Sequence, residues 1–266
     1  MGDTKATLQA LLPKLKRNGK DNHLKQSVEH YRKARKGLDE LATEGREQKG
    51  SHPQFVARVI SELASDDAVF TCDVGTPTIC AARYLTMNGK RRLLGSFTHG
   101  SMANALPQAI GAQQTCPGRQ VISLSGDGGI AMLLGDLLSL HQLQLPVKII
   151  VFRNDDLAFV ELEMKAAGFV DFGTDLQNPD FTKLAEAAGV LGLTAETPQD
   201  VRPMITKALK HDGPALVEVH VHRQELSMPP TISLAQMKGF TLFTLKAVLS
   251  GRGDELVDLA KVNLFR

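Results

Sequence analysis

Val121-Ile122-Ser123-Leu124-Ser125-Gly126-Asp127-Gly128-Gly129 begins as a run of apolar and small residues without an exposed polar face. That is the pattern of a strand buried on both sides. Glycines follow at once, and then Ile130–Leu143, which reads as a helix. Strand, glycine turn and helix form the unit of an open parallel sheet, where ligands bind beyond the carboxyl ends of the strands. Glycines there let a backbone approach a phosphate closely, and a helix N-terminus offers N–H groups and a positive dipole end. Asp127 would repel a phosphate. Its place in the turn makes sense if a divalent cation sits between the two. Mg²⁺ suits the role because it takes oxygen ligands from carboxylates and phosphates together.

A second ligand should come from a neighbouring strand end. Asn154 lies 27 residues after Asp127, at the end of the apolar run Val147–Phe152. The interval holds one helix, a turn with Pro146 and one strand, which is a single βαβ crossover. Asp127 and Asn154 are therefore expected at the same sheet edge, with the backbone carbonyl of Asp156 as a third metal ligand. The bland alternative is a purely structural Gly-Asp-Gly turn.

Outward from this centre the chain alternates strands and helices. Ala68–Cys72, Leu93–Phe97, Val121–Ser125, Val147–Phe152, Leu193–Glu196 and Ala215–Val221 read as strands. His52–Ala64, Pro77–Met87, Met102–Gln114, Ile130–Leu143, Phe181–Ala188 and Gln199–His211 read as helices. The expected fold is α/β, a doubly wound, mostly parallel six-stranded sheet with helices on both faces. A helical N-terminal arm (Thr4–Leu15 and Asp21–Ala42, split by Arg17-Asn18-Gly19-Lys20) precedes it, with a polar linker over Thr43–Ser51. After about Glu225, Pro229-Pro230 forces an extended start. Leu234–Leu249 and Glu255–Leu264 then repeat Leu and Ala at three- and four-residue steps, an amphipathic tail. The domain boundaries expected are 1–50, 51–224 and 225–266.

Composition narrows the function classes. The 266 residues carry 31 Lys+Arg against 29 Asp+Glu, a net charge of +2 that gives no whole-chain case for nucleic acid. The first 50 residues hold twelve Lys/Arg and seven Asp/Glu, which reads as a solvated helix face before it reads as a nucleic-acid arm. Three cysteines (Cys72, Cys80, Cys116) form no C-x-x-C pair, and a reducing, cytoplasmic compartment is the simplest expectation. No apolar run approaches the ~18 residues of a membrane-spanning helix, and the charged first 20 residues do not read as a secretory signal.

The G-D-G, the 27-residue step and the Asn at a strand end resemble the thiamin-diphosphate motif. The blocks D-V-G-T-P-T (Asp73–Thr78), G-S-F-T-H-G-S-M-A-N-A (Gly95–Ala105), L-P-V-K-I-I-V-F (Leu145–Phe152) and A-F-V-E-L-E-M-K (Ala158–Lys165), with the tail S-G-R-G-D-E-L-V-D-L-A-K (Ser250–Lys261), resemble quinone-reducing bacterial pyruvate oxidases. The resemblance covers essentially the whole chain. It implies that Asp127, Asn154 and the Asp156 carbonyl hold Mg²⁺, and that Gly128 and Gly129 cradle the diphosphate. Gly100, Ser101 and Met102 would line the cofactor, with Met102 as an apolar prop beneath it; without the resemblance Met102 reads as core. Asp155, Asp156, Leu157 and Ala158 would border the cofactor, and Phe159, Val160 and Glu163 would face the reacting centre. Glu163 lies one helical turn beyond Phe159, and a solvated helix carboxylate is its other reading.

The same resemblance implies oxidative decarboxylation of pyruvate to acetate and CO₂, with electrons passing through FAD to a membrane quinone. It makes residues 1–50 the tail of a flavin domain plus linker. The pyrimidine-activating glutamate would lie in a pyrimidine-binding domain of another subunit, so a homo-oligomer is expected and the isolated chain should be inactive. The tail would dock on a phospholipid surface, placing the protein in the cytoplasm and peripherally on the inner face of the cell membrane. Its alternative is a helix that packs on its own domain. Arg153 departs from the family, which often has a second Asn there. His99 is open to a cofactor contact or a structural hydrogen bond, and His220 and His222 read as structural. The competing functions are an acetolactate-synthase-like thiamin enzyme and a non-catalytic cofactor-binding or assembly module, with no nucleic-acid role.

Overall fold

Within each central strand, successive side chains enter different cores. Ile122 and Leu124, with Ile150 and Phe152, join one buried cluster; Val121, Ile149 and Val151 join the other. Both faces of the sheet are therefore covered, as the unbroken apolar runs require. The computed structural model describes residues 2–16, 19, 21–45, 49–223, 225–226 and 232–264.

Six strands form one sheet: β1 Val69–Cys72, β2 Arg92–Gly95, β3 Val121–Gly126, β4 Lys148–Arg153, β5 Leu191–Ala195 and β6 Ala215–His220. Their order is β2-β1-β3-β4-β6-β5, and all five pairings are parallel. The register sets Gly126 beside Phe152, which carries Asp127 and Asn154 to one rim. The chain runs outward from β1 to β2 and then returns to the other side of β1 as β3. The strand order thus reverses between β1 and β3, the place where such sheets open a crevice.

Helices α3 (Pro53–Leu63), α4 (Thr76–Tyr84) and α10 (Pro198–Lys210) cover the first face. Helices α5 (Ala105–Thr115), α6 (Asp127–Met132), α7 (Leu137–Gln142) and α9 (Phe181–Ala187) cover the second. Helix α8 (Ala158–Ala166) follows β4, and α11 (Leu234–Leu249) packs on it, with Phe243 and Ala247 fully buried. Helix α12 is Gly253–Leu264.

The expected helix Ile130–Leu143 is broken. Leu133 leaves helical geometry (φ −125°, ψ 37°), and a 3₁₀ turn at Leu134–Asp136, with Gly135 inside it, separates α6 from α7. The expected start at Met102 gives way to Ala105, because Ala103 takes a left-handed φ of 61°.

By contacts the chain divides into Met1–Glu40 and Leu41–Arg266. The first unit holds α1 (Thr4–Leu11), capped by Asp3, and most of α2 (Asn22–Leu41); neither helix buries a side chain. Arg17, Asn18 and Lys20 of the expected break, residues 46–48 of the linker, Pro229-Pro230, Phe265 and Arg266 lie outside the described residues.

Candidate cofactor site

Beyond the carboxyl ends of β1, β3 and β4 lies a solvent-open cleft of about 670 Å³. Val74, Gly75, Thr76 and Pro77 line one wall, Gly126–Gly129 and Met102 the floor, and Asn154 with Asp156–Val160 the other wall. Two helices begin there. Their N-cap residues, Gly75 and Gly126, are glycines that give no side-chain cap; the Gly128 N–H goes to Asp127 Oδ1 and the Thr78 N–H to Gly75 O.

Asp127 is 3% exposed. Its Oδ2 accepts from the N–H groups of Asn154 (3.1 Å) and Asp155 (2.7 Å) and from Asn178 Nδ2 (2.8 Å). Oδ1 accepts only the adjacent Gly128 N–H, at 2.9 Å, among the bonds described. A carboxylate offers about four lone-pair positions. Oδ2 is therefore saturated, and Oδ1 is the oxygen with a lone pair for a cation. Burial raises the Asp127 pKa; the backbone N–H groups and Asn178 draw it back.

Asn154 lines the cleft beside it, and its Oδ1 accepts from the Asp156 N–H at 3.3 Å. Asp156 forms an antiparallel bridge with Asp175. The hydrogen bonds of that bridge belong to its neighbours: Leu157 N–H to Thr174 O and Leu176 N–H to Asp155 O, both 2.9 Å. Asp156's own N–H and C=O therefore point away from the bridge, and the N–H reaches Asn154 Oδ1. The strand ends thus bring Asp127, Asn154 and Asp156 to one cleft.

The bend that does this puts Asp155 at φ 57°, a left-handed position costing a non-glycine residue about 1 kcal/mol or more. Arg153 Nε and Asn178 Nδ2 both donate to Asp155 Oδ1, at 2.9 Å each, and hold it there. Arg153 also pairs with Glu218, so the family departure at this position is turned away from the cleft.

Phe159 and Val160 line the cleft, with Leu157 and Ala158. Gly100, Ser101 and His99 lie in an exposed turn before α5 and are not part of the lining. Glu163 is exposed and borders a shallow groove between α8 and α11 instead. A Cβ on Gly128 would lie 3.1 Å from Leu157 Cδ2 and 3.4 Å from the Met102 methyl; on Gly129 it would lie 2.2 Å from Asp73 Oδ2. A Cβ at Gly129 therefore forces Asp73 to move, while one at Gly128 needs the ends of Leu157, Leu176 and Met102 to give by only a little.

Several cleft residues escaped the sequence reading. Gly75 has φ 130°, which only glycine adopts readily, and it aims the α4 N-terminus at the cleft. Asn178 lies 51 residues from Asp127 with no local signal. His52 Nδ1 sits 2.7 Å from Glu225 Oε2, and Gln54 donates to the same carboxylate; Glu225 and His222 line the cleft's far end. The motif D-V-G-T-P-T was legible, but the spatial partners of its residues were not.

The model for "Thiamine pyrophosphate enzyme, C-terminal TPP binding domain" matches residues 73–219. The chain belongs to the thiamine pyrophosphate enzymes. YdaP of Bacillus subtilis, described by name as thiamine pyrophosphate-containing, is 34% identical over 209 residues, 79% of this chain and 36% of that protein. The acetolactate synthase large subunit of Parasynechococcus marenigrum is 35% identical over 196 residues, 71% of this chain and 31% of the relative. The solved thiamine diphosphate-dependent 4-hydroxybenzoylformate decarboxylase of Rhodococcus jostii RHA1 superposes with a TM-score of 0.59 at 29% identity, covering 68% of this chain and 34% of that one. The chain thus spans about a third of the length of these relatives. None of the three names is an oxidase.

The residues present fit the family's cofactor. Two uncapped helix N-termini and side-chain-free glycines suit a diphosphate. An all-oxygen donor set of carboxylate, amide and carbonyl suits Mg²⁺. Met102 rises from the floor between these groups.

Proposed function

We propose that this chain supplies the diphosphate and Mg²⁺ half of a thiamin-diphosphate active site that decarboxylates a 2-keto acid and passes on the two-carbon fragment, in the manner of acetolactate synthase. The observation that carries the reading is the buried Asp127, whose Oδ1 keeps a lone pair beyond its bond to the Gly128 N–H, set in one cleft with Asn154 and Asp156 at the glycine N-caps of two helices. When bound, thiamin diphosphate supplies the electron sink that lets a carboxylate leave as CO₂. Asp127, Asn154 and Asp156 would hold the cation, Gly75–Thr76 and Gly128–Gly129 the diphosphate, and Phe159 and Val160 would shape the space for the substrate. The relatives named as acetolactate synthases favour ligation of two pyruvates.

Calorimetry of the 266-residue chain with thiamin diphosphate plus Mg²⁺ tests the site. Binding that weakens at least tenfold in Asp127→Ala supports it; equal binding by both proteins removes it. Products test the chemistry: acetolactate from pyruvate supports this reading.

The second reading is oxidation of pyruvate to acetate with FAD and a membrane quinone, on the peripheral inner face of the cell membrane. The resemblance of the Ala158–Lys165 and Ser250–Lys261 blocks and an apolar stripe on α11 favour it. Leu234, Met237, Leu242, Leu245, Val248 and Leu249 recur at helical spacing, and each is at least 45% exposed. No described helix is long and apolar enough to cross a membrane. Acetate as the product, with flotation on phospholipid vesicles, would establish this reading in place of the first. In both readings a pyrimidine-binding domain of another subunit completes the site.

A further inference from the structure

One buried carboxylate next to the cleft has no part in the cofactor contacts described above. Asp73 directly follows β1 at the strand-order reversal and is 1% exposed. Its own N–H donates to Leu124 O at 2.9 Å, and Thr78 Oγ1 donates to its carbonyl at 2.6 Å, so its backbone is fixed from both sides. Its side chain then reaches two other elements. Oδ1 accepts the Ala105 N–H at 2.9 Å, with the Asn104 and Gly126 N–H groups also turned toward the carboxylate. Asn104, at the α5 N-cap, makes no side-chain cap bond, so Asp73 caps α5 from another element. Oδ2 has no hydrogen-bond partner and lies against Gly129, 2.2 Å from where a Cβ would be.

A buried carboxylate oxygen without a partner is costly to keep. Met102 and the left-handed Ala103 (φ 61°) stand immediately before the capped helix start. The Met102 methyl is 3.4 Å from the Gly128 Cβ position, and Ala103 N is 3.5 Å from that of Gly129. Asp73 thus stands where the Met102 turn and the Gly126–Gly129 loop meet.

The geometry points to Asp73 as a positioning residue of the cofactor site: its carboxylate clamps the Met102 turn to the glycine loop and so fixes the distance between the apolar prop and the diphosphate cradle. This rests on the thiamin-diphosphate reading proposed above. Asp73 does not line the cleft. It acts through Ala105 and Gly129.

The test has two arms. The first compares binding of Mg²⁺–thiamin diphosphate with binding of Mg²⁺–pyrophosphate, which needs the glycine loop and Asp127 but not Met102. Asp73→Ala is expected to weaken thiamin diphosphate roughly tenfold while leaving pyrophosphate within about twofold; Asp73→Asn, which keeps one acceptor oxygen for Ala105, should restore most of the loss. The second arm follows the Met102 methyl by NMR in the ligand-free chain. Wild type should show one resonance with cross-peaks to the Leu157 and Leu176 methyls that share the Gly128 position. Asp73→Ala should lose them and Asp73→Asn regain them.

If Asp73→Ala fails to fold, Asp73→Ser carries the same expectation with a smaller cavity, since its hydroxyl is too short to reach Ala105. Unchanged Met102 cross-peaks in Asp73→Ala or Asp73→Ser overturn the inference. So does an equal loss for both ligands, which would make Asp73 a general fold residue. Should wild type bind neither ligand, the cofactor reading fails and the Met102 arm alone still decides the clamp.

Discussion

Changing Gly239 to Ala tests whether the C-terminal helices are held by the domain itself. A Cβ at Gly239 would lie 1.8 Å from the Ala166 carbonyl oxygen, on the backbone of α8. A tolerable C···O contact is about 3.3 Å, so α11 must move away by roughly 1.5 Å. The residues that lose are Phe243 and Ala247, both fully buried, and the Lys165 ammonium, 5.2 Å from the Phe243 ring. A radial gap of even 1 Å forfeits up to half of a dispersion well. Half of one phenylalanine's burial is about 1 kcal/mol, and overpacking adds about 1–3 kcal/mol. Against this stands a helix-propensity gain of about 1 kcal/mol for Ala over Gly. The net is about 2 kcal/mol, or roughly thirtyfold in the opening equilibrium of α11. Hydrogen exchange read on a peptide covering 234–249 should show that loss of protection, with β3 unchanged. Gly37→Ala in α2, where nothing lies within 4 Å, is the control. Wild-type protection of α11 in Gly239→Ala would refute the close α8–α11 contact. It would favour a tail that leaves the domain.

Asn178→Ala removes the donor shared by Asp127 and Asp155; calorimetry should show Mg²⁺-dependent cofactor affinity falling about tenfold, since one charge-assisted bond is worth about 1.5–3 kcal/mol, with melting little changed. Arg91→Ala should cost about 3 kcal/mol in urea unfolding, because a buried guanidinium donates to Ala64 O and Ser65 O just past α3 and to Thr86 O just past α4, and stacks 5.8 Å from Phe70. Lys148, buried at the opposite end of the sheet, donates to the His211 and Gly213 carbonyls, and burial lowers its pKa to about 8. Between pH 8 and the unfolded value of 10.5 the unfolded chain binds more protons, so this contribution to stability grows as pH rises through 8. Wild type should therefore gain on Lys148→Met by about 1–2 kcal/mol between pH 7 and 9.5; a gap that is flat or narrows contradicts the assignment.

The sheet was legible because the central strands β1, β3, β4 and β6 are buried on both faces and read as unbroken apolar runs; the edge strand β2, half exposed, showed through its Leu93-Leu94 pair. The meeting of Asp127 with the Asn154 end of β4 was legible from spacing. One βαβ unit has a narrow length, and 27 residues is a measure of geometry. What failed to show was whatever depends on partners far apart in sequence. Asn178 and Asp127 meet only because the bridge at Asp156–Asp175 folds the intervening loop back. Ala103 and Leu133 interrupt helices for local backbone reasons that an apolar period does not register. Glu163 was assigned by its spacing from Phe159, but four residues along α8 carries it to the α11 side, where it is exposed. The residue α8 does bury beside the cleft's charges is Glu161.

Glu161 raises a separate question, because its carboxylate meets those of Asp171 and Glu255 within 4.8 Å, a spacing that could hold a cation. Charge already present answers it. Lys165 pairs with Glu161 and, at 2.7 Å, with Glu255. Arg252 lies 2.6 Å from Asp171 and 2.9 Å from Glu255, and Arg223 is 3.4 Å from Glu161. Three cations balance the three acids, and a divalent ion would have to displace them. Burial and the neighbouring Glu161 hold the Asp156 carboxyl protonated well above the usual range; burial alone would raise Glu161 too, but the Asp156 proton, Lys165 and Arg223 hold it low. The cluster therefore acts as an ionic rivet from the cleft wall through α8 to α12. Lys165→Met should leave Glu161 to Arg223 and Glu255 to Arg252, three acids against two cations, and cost about 3 kcal/mol. A second change, Glu255→Gln in that background, should recover part of the loss, and urea unfolding of the single and double variants measures both. If the double variant is no more stable than the single, Lys165 and Glu255 are not coupled, and α12 is held by something other than charge.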